Sequence, residues 1–240
     1  MNARWRFWLI TVGTLLAVGT TLSLGRWQLS RADQKEVLQA RIDSRSTLPR
    51  LAGSALAALP DPTSELHRGV ALRGYWLPQH TVFLDNRQMN AKPGLYVVTP
   101  FKLADTGAVV LVQRGWVARN FIDRSKVPSI ETPTTLVEIE GRIATPPSKL
   151  YELGGTESGI IRQNIDLGQF RTERNLPLLA VSVQQTGAAS EGMLREWPMI
   201  GTGVDKHYGY AFQWFALSGL IALLYVWFQI VRRFFRAQRA

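Results

Sequence analysis

The chain has 240 residues, with 28 Lys and Arg against 18 Asp and Glu, and no cysteine. Without thiols there can be no disulfide, no cysteine-ligated metal, no Cys-x-x-Cys redox chemistry and no covalent c-type haem attachment. A surplus of ten positive charges first suggests nucleic acid, but six arginines lie outside the two longest uncharged runs, which leaves 22 basic and 18 acidic residues for the rest of the chain. That mixed balance describes a mildly basic domain and excludes a nucleic-acid platform.

The first uncharged run, Phe7 to Leu24, is 18 residues long, with Arg4 and Arg6 before it. At about 1.5 Å per residue it covers roughly 27 Å of helix, close to the ~30 Å of a bilayer core. A cleavable leader is the rival reading, with Ala17-Val18-Gly19 as its cleavage site. The apolar run continues past Gly19 into a Pro-free, helix-compatible stretch from Arg26 to Arg41, so an uncleaved anchor with a helical extension over 25–46 is expected. Trp27, Arg31 and Lys35 recur at i, i+4 and i+8 on that extension.

Residues 47–65 carry Pro49, Pro60 and Pro62 and read as loop with a helical turn. From Gly69 the pattern turns to strands. Gly69–Trp76, Thr81–Asn86, Leu95–Leu103, Ala108–Val117 and Leu136–Ala144 are apolar or alternating. Asn90, Pro93-Gly94 and Asp105-Thr106-Gly107 punctuate them. Pro146-Pro147 and Gly154-Gly155 bound an irregular stretch, Ile160–Ile165 and Leu178–Gln185 read as further strands, and Asp166–Arg174 reads as a short helix. The expected domain over 47–206 is mainly antiparallel β, a sandwich or a small barrel.

The second uncharged run, Tyr208 to Val231, is 24 residues long and is followed by Arg232, Arg233, Arg236 and Arg239. Basic tips stay cytoplasmic. The fold class expected is therefore membrane α+β, with two transmembrane helices at the chain ends flanking the β domain. The tips 1–6 and 232–240 are expected in the cytoplasm, spans at 7–24 and 207–231 in a bacterial inner membrane, and the domain between them in the periplasm.

Chemistry-bearing residues are few. The three histidines, His67, His80 and His207, show no His-x-x-His or His-Glu-x-x-His spacing, and no nucleophile elbow or phosphate loop occurs. His207 opens the second run, with Tyr210, Ala211 and Trp214 at i+3, i+4 and i+7. Two readings fit this face. One is an aromatic belt at headgroup depth. The other is a haem-binding face, with an imidazole on iron, rings against the macrocycle, and Arg31 or Lys35 of the first helix meeting the propionates. In the middle of the chain, Arg87 and Arg114 are either paired internally, with Asp85 or others, or presented to a partner.

Gly25-x-Trp27-Gln28-x-x-Arg31-x-x-x-Lys35, Arg68-Gly69, Gly74, Asn86-Arg87, Gly94-x-Tyr96, Thr99-Pro100, Arg114-Gly115-Trp116-Val117 and His207-x-x-Tyr210-Ala211-x-x-Trp214-Phe215 follow one another in this order. Together with the two terminal runs, they resemble the Surfeit-locus family of cytochrome c oxidase assembly factors. The resemblance implies a non-enzymatic role in the membrane, assisting haem a delivery or stabilisation in the catalytic oxidase subunit, with the haem a synthesis machinery as a further partner. It also implies that His207 is the iron ligand, with Tyr210, Trp214, Trp27, Arg31 and Lys35 around the cofactor. Many relatives carry Asn where this chain has Lys206. The alternative is a cofactor-free two-span scaffold for an inner-membrane complex.

Overall fold

The computed structural model describes residues 3–151, 159–198 and 203–237; the expected Gly154-Gly155 break and the outermost residues of both tips lie outside them. Two compact units emerge, one from Met1–Arg41 with Met199–Ala240, the other from Ile42–Pro198.

The first unit is a pair of helices. Helix α1 runs unbroken over Ala3–Ser46, as a Pro-free stretch of good helix formers allows. The later helix, α4, spans Val204–Tyr225. It passes through a π-helical turn at Val226–Val231 into α5, Arg232–Ala237. Both long helices are apolar enough to cross a membrane, and their apolar windows are almost wholly uncovered by the protein itself. That exposure distinguishes them from core helices of a water-soluble domain and fits a membrane protein.

The second unit is a barrel. Its strands are β1 (Leu51–Ala52), β2 (Gly69–Trp76), β3 (Val82–Met89), β4 (Lys92–Leu103), β5 (Val109–Ala118), β6 (Val137–Ala144), β7 (Ile161–Arg162) and β8 (Leu178–Gln185). Pairings run β2–β6–β8–β5–β4 and return to β2, closing a five-stranded ring, while β1, β3 and β7 extend its edges. Of the two expected forms, the domain thus takes the small closed barrel. Within the ring only β5 and β8 are parallel; the other neighbours are antiparallel.

Alternation fills the interior. Val70, Leu72 and Trp76 of β2 meet Phe101 and Leu103, Val110 and Val112, Ile139 and Ile143, and Val181 and Val183, with Leu56 of α2 (Gly53–Ala58) joining them. Closure happens where Gly74–Trp76 pair with Leu103–Phe101. Gly74 permits it, because a Cβ there would strike the Lys102 carbonyl oxygen. Helix α3 (Leu167–Arg174) covers the outside of the barrel with Phe170, against Val82, Leu84, Val98 and Leu111. Asp166 caps α3, accepting from the Gly168 and Gln169 amides. Its carboxyl is held below the usual carboxylate range by the Lys149 ammonium and these amides.

Two register shifts explain why arginines enter this apolar barrel. Between Leu84↔Tyr96 and Arg87↔Gly94, β3 has one residue more than β4. Between Val97↔Gly115 and Val98↔Gln113, Arg114 is the extra residue on β5. A bulge re-aims the side chains beside it. Arg87 turns inward and donates to the Ser148 and Gln163 carbonyls, both at 2.8 Å. Arg114, fully buried, donates to Thr132 Oγ1 (2.6 Å), the Glu131 carbonyl (3.0 Å) and Glu191 Oε2 (2.7 Å), with its guanidinium 4.4 Å from the Trp76 ring centroid.

Candidate functional site

The barrel absorbs most of the sequence motifs singled out in its region. Arg87 lies over Tyr96 at 5.8 Å, Tyr96 packs edge-on against Trp197 at 5.1 Å, and Trp116 donates its indole N–H to the Arg87 carbonyl at 2.9 Å. Gly94 makes room for the Trp116 ring, which a Cβ would overlap. Burial pushes the Arg87 guanidinium down from its ordinary pKa and the Tyr96 phenol up. Arg87 and Arg114 are therefore internal charges held through their terminal nitrogens, while the Nε of each is buried without a partner among the described residues. Asp85 pairs with Arg119 at 3.2 Å rather than with either of them. The Asn-Arg, Gly-x-Tyr and Arg-Gly-Trp signatures build the domain. No three His, Asp or Glu side chains gather as a metal site would need among the described residues.

The helix pair is different, because its polar contacts join distant parts of the chain. On α1, the covered positions Thr21, Gly25, Gln28, Ala32 and Lys35 recur at alternate steps of four and three. On α4, Val204, His207, Ala211, Trp214 and Ser218 do the same. A 3.5-residue repeat is the seam of a left-handed helix pair. Contacts descend along it in antiparallel order. Tyr208 Oη donates to Glu36 (2.9 Å), His207 Nδ1 meets Gln28 Oε1 (2.7 Å), and the Phe215 ring fills the space over Gly25, where a Cβ would come within 2.6 Å. Thr11 donates its hydroxyl to the Phe7 carbonyl and so receives the Tyr225 hydroxyl, at 2.8 Å. The Arg233 guanidinium lies over Phe7 at 5.0 Å.

Among the predicted site residues, His207, Lys35 and Trp214 belong to the seam, all three half-buried. Trp27, Arg31 and Tyr210 lie on exposed flanks. Arg31 stacks over Trp27 at 5.6 Å and donates to Gln34, an arrangement suited to an interfacial anchor. Gln28 is the site residue the sequence reasoning passed over. Its signal was available, since it falls three residues after Gly25 and seven before Lys35 on the same helical face.

The donor set suits a haem-type group. The imidazole is half-buried, Nδ1 is engaged by Gln28, and no partner for Nε2 is found among the described residues. Helix α4 begins at an αL Gly203 with no side-chain cap, leaving its first amides open to an acceptor. A Cβ at Gly203 would lie 3.6 Å from Lys35 Nζ and 3.9 Å from the Lys206 side chain. The Lys35 ammonium and the Lys206 side chain thus lie near Gly203, at the N-terminus of the helix that carries the histidine, with Asp205 also in that first turn. Such a grouping attracts carboxylates.

A closed β-barrel carried in sequence between two long apolar helices is an architecture that fits a membrane protein. The profile of the SURF1 family matches residues 15–219, and the chain belongs to that family. It is 28% identical to a SURF1-like protein of Rickettsia felis over 88% of this chain and 93% of that one. It is also 28% identical to a SURF1-like protein of Drosophila melanogaster, over 91% and 77%. A shorter match, 31% identical over 45% of this chain and 28% of the other, is to the cytochrome oxidase assembly protein SHY1 of Saccharomyces cerevisiae.

Proposed function

We propose that this protein is a non-enzymatic assembly factor for cytochrome c oxidase that holds haem a while the catalytic subunit is built. The observation that carries the reading is the half-buried His207 imidazole on the seam of the two helices, with Nδ1 engaged and Nε2 without a partner among the described residues. The SHY1 name supports the assembly role. When bound, haem would supply an iron centre for the imidazole and two carboxylates for the surrounding cations. His207 is the iron ligand. Lys35, Lys206 and the open first turn of α4 neutralise the propionates, and Trp214 and Tyr210 offer aromatic surface. Trp27 and Arg31 sit at the flank, holding the helix at headgroup depth and adding positive charge near the same level.

In this reading both spans cross a bacterial inner membrane. Arg4, Arg6, Arg232 and Arg233 hold the termini in the cytoplasm, and the residues between the spans work in the periplasm beside the oxidase subunit and the haem a synthesis machinery.

Protein purified from cells that make haem a is expected to show a Soret band that His207→Ala removes. Deletion of the gene should lower the haem a content and activity of the oxidase. An unchanged spectrum in the variant would overturn the ligand assignment. Co-purification with an oxidase subunit without any Soret band would instead make the protein a cofactor-free scaffold.

A further inference from the structure

We propose that Gln28 is a positioning residue that fixes His207 in the Nδ1–H tautomer and so keeps Nε2 as a lone-pair donor. The inference rests on the reading of His207 as an iron ligand for its consequence, but not for its chemistry. The Gln28 side-chain oxygen stands 2.7 Å from His207 Nδ1, at the short end of N–H···O hydrogen bonds. An amide oxygen can only accept, so the proton of a neutral imidazole must be on Nδ1. That leaves Nε2 unprotonated. Histidine ligands generally donate their second ring N–H to such an acceptor, which sets the tautomer and the ring orientation.

The acceptor comes from the other helix, 179 residues away in sequence, so its position depends on how the helices mesh. Three features set that register. The Phe215 ring sits over Gly25, one turn from Gln28. Ala32 and Ala211, each one turn from the bonded pair, are buried almost completely. Thr11 and Tyr225 bond further along the same seam. A slip of one helical residue, about 1.5 Å, would break the 2.7 Å contact. Gln28 accepts this bond as an uncharged amide. Glutamate in its place would accept the same bond with a full negative charge.

The test uses the full chain in lipid nanodiscs with 15N-labelled histidine, at a pH where the imidazole is neutral. His207 is assigned by its loss in His207→Ala. Long-range 1H–15N spectra are expected to show the Nδ1–H form in the wild type, its loss of dominance in Gln28→Leu, and its return in Gln28→Glu. A wild-type His207 that carries its proton on Nε2 would overturn the proposal, and so would a tautomer unchanged in Gln28→Leu. Titration with ferric haem b forms the second arm. Gln28→Leu should weaken binding by about 10–100-fold, the usual cost of losing such a partner, and Gln28→Glu should restore affinity. Equal affinity in wild type and Gln28→Leu would overturn the positioning role. A wild type with the expected tautomer but no affinity for haem would sink the ligand reading while leaving the tautomer assignment in place.

Discussion

Replacing Arg114 with Met removes the one fully buried guanidinium among the described residues of the barrel. Three hydrogen bonds and the face of Trp76 hold it. Thr132, the Glu131 carbonyl and Glu191 would each lose a donor, and Glu191 would keep only Arg195, at 3.8 Å. Removing one partner of a buried ion pair costs about 3–5 kcal/mol, and Glu191, partly exposed and still near Arg195, places the loss at the lower end of that range. In a domain of this size, that lowers the midpoint of thermal unfolding by roughly 2–4 °C per kcal/mol. Arg50 pairs with Glu140 by the same chemistry, but both side chains are more than half exposed. Arg50→Met should therefore cost less than about 1 kcal/mol. Unfolding of the full chain in detergent, followed by near-ultraviolet circular dichroism and by hydrogen exchange at β5 amides, measures both. Adding Glu191→Leu to Arg114→Met should recover part of the loss, since a buried pair is often replaceable by apolar side chains. Equal costs for Arg114→Met and Arg50→Met would refute the claim that burial decides the worth of these pairs.

Gly74→Ala places a methyl against the Lys102 carbonyl oxygen and within 2.9 Å of the Phe101 ring. The backbone can yield only by opening the closure between β2 and β4. A loss of about 1–3 kcal/mol is expected, with faster hydrogen exchange confined to Gly74–Trp76 and Phe101–Leu103. His80 titrates below its ordinary value because burial, and then the charge of Arg174, disfavour the protonated ring. The unfolded chain takes up that proton near pH ~6.5 and the folded one only at lower pH. Stability should fall as the pH drops through this window and level off below the folded pKa, and His80→Gln should remove that step. An identical pH slope in the variant would show that His80 is not its source.

Local periodicity carried the β2 and β8 strands to their observed ends, Gly69–Trp76 and Leu178–Gln185, because their alternation matches the face each buries. It did less well at the β3–β4 turn. Pro93-Gly94 looks like a break, yet β4 starts at Lys92, and the reversal is made by Asn90 and Ala91, both with positive φ. Alanine seldom takes that conformation, so the signal was weak. Pro93 is tolerated because it pairs only with Gln88, one residue short of where β5 joins at Gly94. Barrel closure and the parallel β5–β8 pairing depend on contacts between residues far apart, which no local pattern encodes. The inward arginines were ambiguous for a related reason. Alternation assigns a face to each residue only until a bulge shifts it, and a bulge is a property of two strands. At the helix pair, His207 stood out by residue type and position. Gln28 did not, although it shares a helical face with Gly25 and Lys35, because the imidazole it meets comes from the opposite helix.

The contact between Gln28 and His207 also has a temporal side. The first helix leaves the ribosome with an amide that has no imidazole to meet, and the whole barrel is synthesised before the histidine exists. Chains emerge from the N-terminus at about 5–20 residues per second, so roughly 10–40 seconds separate the two halves of the site. A chain halted anywhere in that interval has its first helix and a growing domain but no His207. The contact across the seam therefore forms only in molecules that have been made through to their second long helix.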